Sequence, residues 1–198
     1  MKRHLNKRKG TIEVGSVVFV SGVYGVGKST LCNKLAQKCH INFYSAGDVI
    51  SEENGEKYGS NKIVKNKELN QDILIRKMSE KLEHEKIVLL AGHFCILGNN
   101  GQVEQLPEHT YSKLQLSAII LLEAGPEIIM KNLNRRDGKE YSIQQIEEFL
   151  NTERNCAEHI AENLNIPLFV HNMEFSNEDI EENYLFLKEV YGENFIGH

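Results

Sequence analysis

The strongest chemical signal lies in residues 22–29, which read GVYGVGKS. Gly22, Gly25 and Gly27 let the backbone turn tightly and bring its N–H groups against phosphate oxygens. Tyr24 and Val26 complete the loop and count with it as nucleotide contacts. A helix starting near Lys28 adds the positive end of its dipole to that anion site. Lys28 is placed to reach the β- and γ-phosphates of ATP, the Ser29 hydroxyl to ligate Mg²⁺, and Thr30 to support the same helical turn. The context the motif needs is present, with the apolar run VVFV at 17–20 before it and Leu31 and Leu35 marking a helix after it. The pattern predicts bound ATP and Mg²⁺.

A second group of residues suits phosphoryl transfer. The sequence SAGDVI at 45–50 offers Gly47 and Asp48 just beyond the second strand-like run, where an acceptor is to be recognised and oriented. Arg135, Arg136 and Arg154 are three cations for the point where two phosphate groups meet. Charge in that reaction spreads over equatorial oxygens, and guanidinium forks stabilise it while excluding water. Leu150, Arg154, Ala157 and Ala161 follow steps of four, three and four, which predicts an inward-facing Arg154. Ile129, Leu133 and Arg136 share a face in the same way, as do Leu69, Ile73 and Arg76, making Arg76 a candidate for the acceptor's phosphate. For each arginine the alternative is a snorkelling or ion-paired structural side chain. His93 stands at the end of the run 87–90, where parallel sheets place ligands, with a hydrogen-bonded core histidine as its alternative. The remaining histidines read as surface residues.

Short apolar runs alternating with helical patterns must position these groups. Strands are expected at 17–20, 42–45, 87–90, 118–122 and 168–171, and helices after Lys28, over 64–85, from Pro126, over 143–163 and over 177–190. Ser142 with Gln145 forms a capping box at the start of the long helix. Asn99, Asn100 and Gly101 between two alternating runs suggest a hairpin. Such alternation predicts an α/β fold, a parallel sheet with helices on both faces, in one domain over 16–198.

Composition narrows the function classes. The 198 residues carry a net charge of -5, which argues against a protein whose whole surface grips nucleic acid. Residues 1–15 concentrate Lys2, Arg3, Lys7, Arg8 and Lys9 in a basic arm, read as solvated or as docking on RNA or an acidic protein partner. The four cysteines show no CxxC pair or zinc-ligand spacing. Residues 1–15 have no apolar core of a signal peptide, and the longest apolar runs are of strand length. The expectation is a cytoplasmic protein with no membrane contact.

Together these segments resemble the archaeal-type adenylate kinases and related bacterial P-loop proteins of the nucleoside monophosphate kinase-like group. The likeness rests on GVYGVGKST at 22–30, the GD at 47–48, GHFCIL at 92–97 with a later LP, LLEAGP at 121–126, RRD at 135–137 and ER at 153–154. It spans roughly residues 16–172. It implies a P-loop NTPase fold with a five-stranded sheet in the order 2-3-1-4-5, an acceptor-binding segment at about 46–86 and a short lid at about 134–142. The activity implied is transfer of the γ-phosphoryl of ATP to a small phosphorylated acceptor, most simply a nucleoside monophosphate.

One departure stands out. Relatives in this group usually carry aspartate where this chain has Ala91. Of the four aspartates, Asp48 and more loosely Asp137 are the ones expected to reach the nucleotide, so Asp48 is the candidate water-mediated Mg²⁺ anchor. Ala91 also opens a different reading, an ATP-sensing regulatory subunit with little or no turnover. A polynucleotide 5′-hydroxyl kinase using the basic arm is a third.

Overall fold

The computed structural model describes residues 15–55, 67–98, 101–137 and 141–192. The basic arm, apart from its last residue, the tip residues Asn99 and Asn100 and the centre of the expected lid lie outside them. So does the stretch 56–66 of the expected acceptor segment.

Five strands form one parallel sheet: β1 (Ser16–Ser21), β2 (Asn42–Ser45), β3 (Ile87–Ala91), β6 (Leu116–Glu123) and β7 (Leu168–Asn172). Their order across the sheet is β2-β3-β1-β6-β7. Counted as sheet strands alone this is the 2-3-1-4-5 order implied by the resemblance. The extra numbers belong to β4 (Cys95–Leu97) and β5 (Val103–Gln105), which pair with each other as an antiparallel hairpin. β1 is buried along its whole length, as a central parallel strand covered on both faces must be.

The period of two then sorts its side chains. Val18 and Val20 join one core with Leu35, Ile129, Leu133 and Leu187, whereas Val17 and Phe19 join the other with Leu74, Met78 and Ile160. The first core is covered by α1 (Lys28–Cys39), α5 (Pro126–Asp137) and α7 (Glu178–Tyr191). The second is covered by α3 (Lys67–Leu82) and the later turns of α6 (Ile143–Leu164). Two short helices went unread in the sequence: α2 (Ala46–Glu53) and α4 (His109–Lys113).

The capping box is present. Gln145 N–H donates to Ser142 Oγ at 3.2 Å and Ser142 N–H donates to Gln145 Oε1 at 3.1 Å. The phase of the helix it starts differs from the expected one by a residue. Its buried residues are Ile146, Phe149, Glu153, Ala157, Ile160 and Ala161, so the charged residue on the inward face is Glu153 and not Arg154.

Parallel pairing brings the strand ends together. Val20 and Ser45 both register with Ala91, and Ser21 registers with Leu121. The chain passes from β1 towards β2 and β3 on one side and then to β6 on the other. Ligands of open α/β sheets bind in the crevice that such a reversal leaves at the carboxyl ends.

Candidate active site

A cleft of about 760 Å³ occupies that position. Its floor is the loop between β1 and α1. Gly22 has φ of +142°, and a Cβ there would meet the Leu122 carbonyl oxygen at 2.5 Å. Gly27 caps α1 in the left-handed region at φ of +99°, its Cα side facing Met173 and Phe175 of the segment after β7. The Lys28 ammonium donates to the carbonyls of Gly22 at 2.6 Å and Val23 at 2.9 Å. Ser29 and Thr30 are exposed at the mouth of the same cleft.

The helix α5 leans on this loop. Asn132 Nδ2 donates to the Gly25 carbonyl at 2.9 Å, and the helix brings Arg135 and Arg136 to the cleft wall. The Arg136 guanidinium lies 5.7 Å from the ring centre of Tyr24, and the Tyr24 ring also packs against His93 at 4.4 Å between ring centres. Tyr24 therefore touches both a wall arginine and the segment after β3.

The other arm of the cleft is formed by Ser45, Gly47, Asp48 and Ile50 from the β2–α2 junction, with Asn70, Gln71 and Leu74 of α3. Ala91, Gly92 and His93 join the two arms. Gly92 is needed for space, since a Cβ there would come within 2.6 Å of the Phe19 ring. Tyr111 O–H donates to the His93 carbonyl at 2.7 Å and fixes the height of that segment. Gln71 is 5% exposed, an amide side chain kept at the cleft wall.

Two expected phosphate contacts are placed elsewhere. Arg154 does not line the cleft: its Nε donates to Glu123 Oε1 at 2.8 Å, its Nη2 pairs with Glu123 Oε2, and Glu158 lies 3.9 Å away. Arg76 is likewise absent from the cleft wall and is ion-paired to Glu53 and to Glu80, the latter at 3.1 Å. A helix periodicity set one residue out of phase accounts for the first. For Arg76, two glutamates within reach on α2 and α3 account for the second.

Sequence reading also missed the third side of the site. Met173, Phe175 and Ser176 lie over the glycine loop, and Phe175 is 48% exposed with φ of +58°. Asp179 holds this turn: its carboxylate accepts N–H groups of Glu174 and Ser176, each at 2.9 Å, and a 2.8 Å contact from His171 Nε2. His171 is buried, contrary to the surface reading given to all histidines but His93. Burial pushes the Asp179 carboxyl up, but the hydrogen bonds from Glu174, His171 and Ser176 outweigh it and hold it below the usual range. Asp179→Asn is expected to lower unfolding free energy by about 1.5–3 kcal/mol at pH 5. A depressed native pKa gives stability that is lost as pH falls through it, so the gap to wild type should narrow between about pH 5 and pH 3. Urea melts at both pH values check this; a gap that widens on acidification contradicts it.

The donor set suits a hard divalent ion. Ser29 and Asp48 place an exposed hydroxyl and an exposed carboxylate on the same cleft, both oxygen ligands of the kind Mg²⁺ takes. The floor at Ala91 adds no carboxylate.

Comparison with known proteins gives the family and the fold. A family model described as "AAA domain" matches residues 21–149. An adenylate kinase of Thermoplasma acidophilum is 27% identical over 148 residues, covering 70% of this chain and 79% of that protein. A shikimate kinase of Caldanaerobacter subterraneus subsp. tengcongensis is 27% identical over 118 residues, covering 60% of this chain and 64% of that protein. Among solved structures, shikimate kinase from Acinetobacter baumannii in complex with shikimate superposes with a TM-score of 0.60. Its identity is 13%, over 89% of this chain and 93% of that one, a likeness of fold. Among the described residues no helix is long and apolar enough to cross a membrane.

Proposed function

This chain belongs to the AAA-domain family, within a P-loop kinase-like group, and we propose that it transfers the γ-phosphoryl of ATP to a nucleoside monophosphate. The observation that carries the reading is one continuous cleft with the glycine loop, Lys28 and Arg135–Arg136 on one arm, Gly47–Asp48 on the other and His93 where the two join. The acceptor class is favoured by the adenylate kinase relative and by the SAGD segment at 45–48.

In the reaction an acceptor phosphate oxygen bonds to the γ-phosphorus as the bond to the β–γ bridging oxygen breaks, and ADP leaves. No covalent protein intermediate is needed, so the residues act by positioning and by charge. The glycine-loop amides and the α1 N-terminus hold the phosphates. Lys28 exchanges two neutral carbonyls for phosphate oxygens, whose charge-assisted hydrogen bonds are roughly twice as strong. Arg135 and Arg136 neutralise equatorial charge from the wall, and Gly47, Asp48 and His93 orient the acceptor. Arg76 and Arg154 have structural ion pairs and are not assigned to phosphate. Mg²⁺ on Ser29 and Asp48 supplies further neutralisation of phosphate charge when bound.

Coupled ADP-release assays with ATP and Mg²⁺ against AMP, other monophosphates, nucleosides, shikimate and RNA 5′ ends test the acceptor. Stimulation by AMP or another monophosphate is expected. Tight ATP binding with no acceptor-stimulated turnover would favour the ATP-sensing reading that Ala91 raises.

A further inference from the structure

The inward face of α6 carries a carboxylate for which the phosphoryl-transfer scheme has no use. Glu153 is 1% exposed. Its Oε1 accepts the Gly22 N–H at 3.0 Å and the Phe94 N–H at 3.1 Å. Its Oε2 accepts the Phe94 N–H at 3.0 Å, the Cys95 N–H at 2.9 Å and the Cys95 thiol at 3.0 Å. Gly22 opens the glycine loop, and Phe94 and Cys95 directly follow His93. One side chain thus ties the ATP loop at Gly22 to the acceptor-side segment at Phe94 and Cys95, two stretches far apart in sequence.

A buried carboxylate without a cation in its immediate contacts is costly unless hydrogen bonds replace its water. Burial does push the Glu153 carboxyl up, opposed by the Cys95 thiol, by Lys28 and by the backbone N–H groups of Phe94 and Cys95. An apolar residue here would avoid that cost but leave the Gly22, Phe94 and Cys95 N–H groups without this acceptor. What the carboxylate adds is two acceptors held at a fixed separation. We infer that Glu153 is a positioning residue that sets the glycine loop and the His93 segment in one geometry, so that donor and acceptor phosphates meet at reacting distance. The inference rests on the phosphotransferase reading of the cleft.

The chemistry of the amide gives the test. In Glu153→Gln one of the two oxygens becomes an NH₂, which cannot accept from a backbone N–H. Whichever way the amide turns, the link to Gly22 or the link to Cys95 is broken. A misplacement of about 1 Å can cost about 100-fold in rate, so kcat with ATP and AMP should fall roughly 10- to 100-fold. KM for each substrate should stay within about threefold, with kcat expressed per active site counted by titration with a nonhydrolysable ATP analogue, because an unfolded fraction would also lower apparent kcat at unchanged KM. Glu153→Asp keeps the charge but is one methylene shorter, cannot span both loops, and should show the same split.

A second readout does not need turnover. In ¹⁵N-labelled wild type, a nonhydrolysable ATP analogue should shift the amide resonances of Gly22, Phe94 and Cys95 together. In Glu153→Gln the response at Phe94 and Cys95 should fall while that of the glycine loop remains. If wild type shows no AMP-dependent turnover, the phosphotransferase reading fails by itself and the resonances decide the role of Glu153. Unchanged kcat in both variants, an undiminished response at Phe94 and Cys95, or failure of both variants to fold overturns the inference.

Discussion

Replacing Lys28 with alanine is expected to weaken ATP binding by roughly 100-fold or more and to remove turnover with it. The ammonium is held within the loop by the carbonyls of Gly22 and Val23 at 2.6 and 2.9 Å, in the same turn as the amides that cradle phosphate. Surrounding groups cannot replace it. Arg135 and Arg136 stand on the wall of the cleft and not in its floor. Lys34 lies one helical turn and more beyond Ser29 along α1. Calorimetric titration with ATP separates this effect from any loss of fold, which circular dichroism reports independently. Wild-type ATP affinity in a folded Lys28→Ala variant would contradict the assignment of the loop.

Ala91→Asp is expected to act in the opposite direction, raising kcat about 10- to 100-fold, the factor associated with a supporting carboxylate at a metal site. Ala91 ends β3 in register with Val20 and Ser45 and is 5% exposed on the cleft floor. A carboxylate there would face the same space as Ser29 and Asp48. Steady-state kinetics at saturating ATP and AMP measure the gain. An unchanged rate would mean that Asp48 already supplies the charge the site needs.

The sheet was legible because buried parallel strands leave continuous apolar runs. VVFV, IVLL and AIILL could be read directly, and the strand 42–45 matched to the residue. The glycine loop was legible for a different reason: its spacing is dictated by backbone conformation, which only glycine satisfies at Gly22 and Gly27. The short helices α2 and α4 have too few turns to show a period. Arg154 was misplaced because Ala157 and Ala161 fit two helical phases; Phe149, Glu153 and Ile160 decide between them only once burial is seen.

The misreading had a cause that generalises. A cation on an apolar stripe looks functional, whereas a glutamate beside it looks like its solvated neighbour. Here the reverse holds, with Glu153 buried and Arg154 paired to Glu123 at the helix edge. The turn at 173–179 was hidden because its geometry depends on a buried Asp179 and His171 that carry no motif. A left-handed Phe175 has no signature in sequence either.

Transfer of label from ATP to AMP tests the central claim most directly. With [γ-³²P]ATP, Mg²⁺ and unlabelled AMP, the account predicts radioactive ADP that forms only when AMP is present. It also predicts that the label is lost from the product in Lys28→Ala. Label recovered solely as inorganic phosphate, at a rate indifferent to AMP and to every other monophosphate, would contradict it.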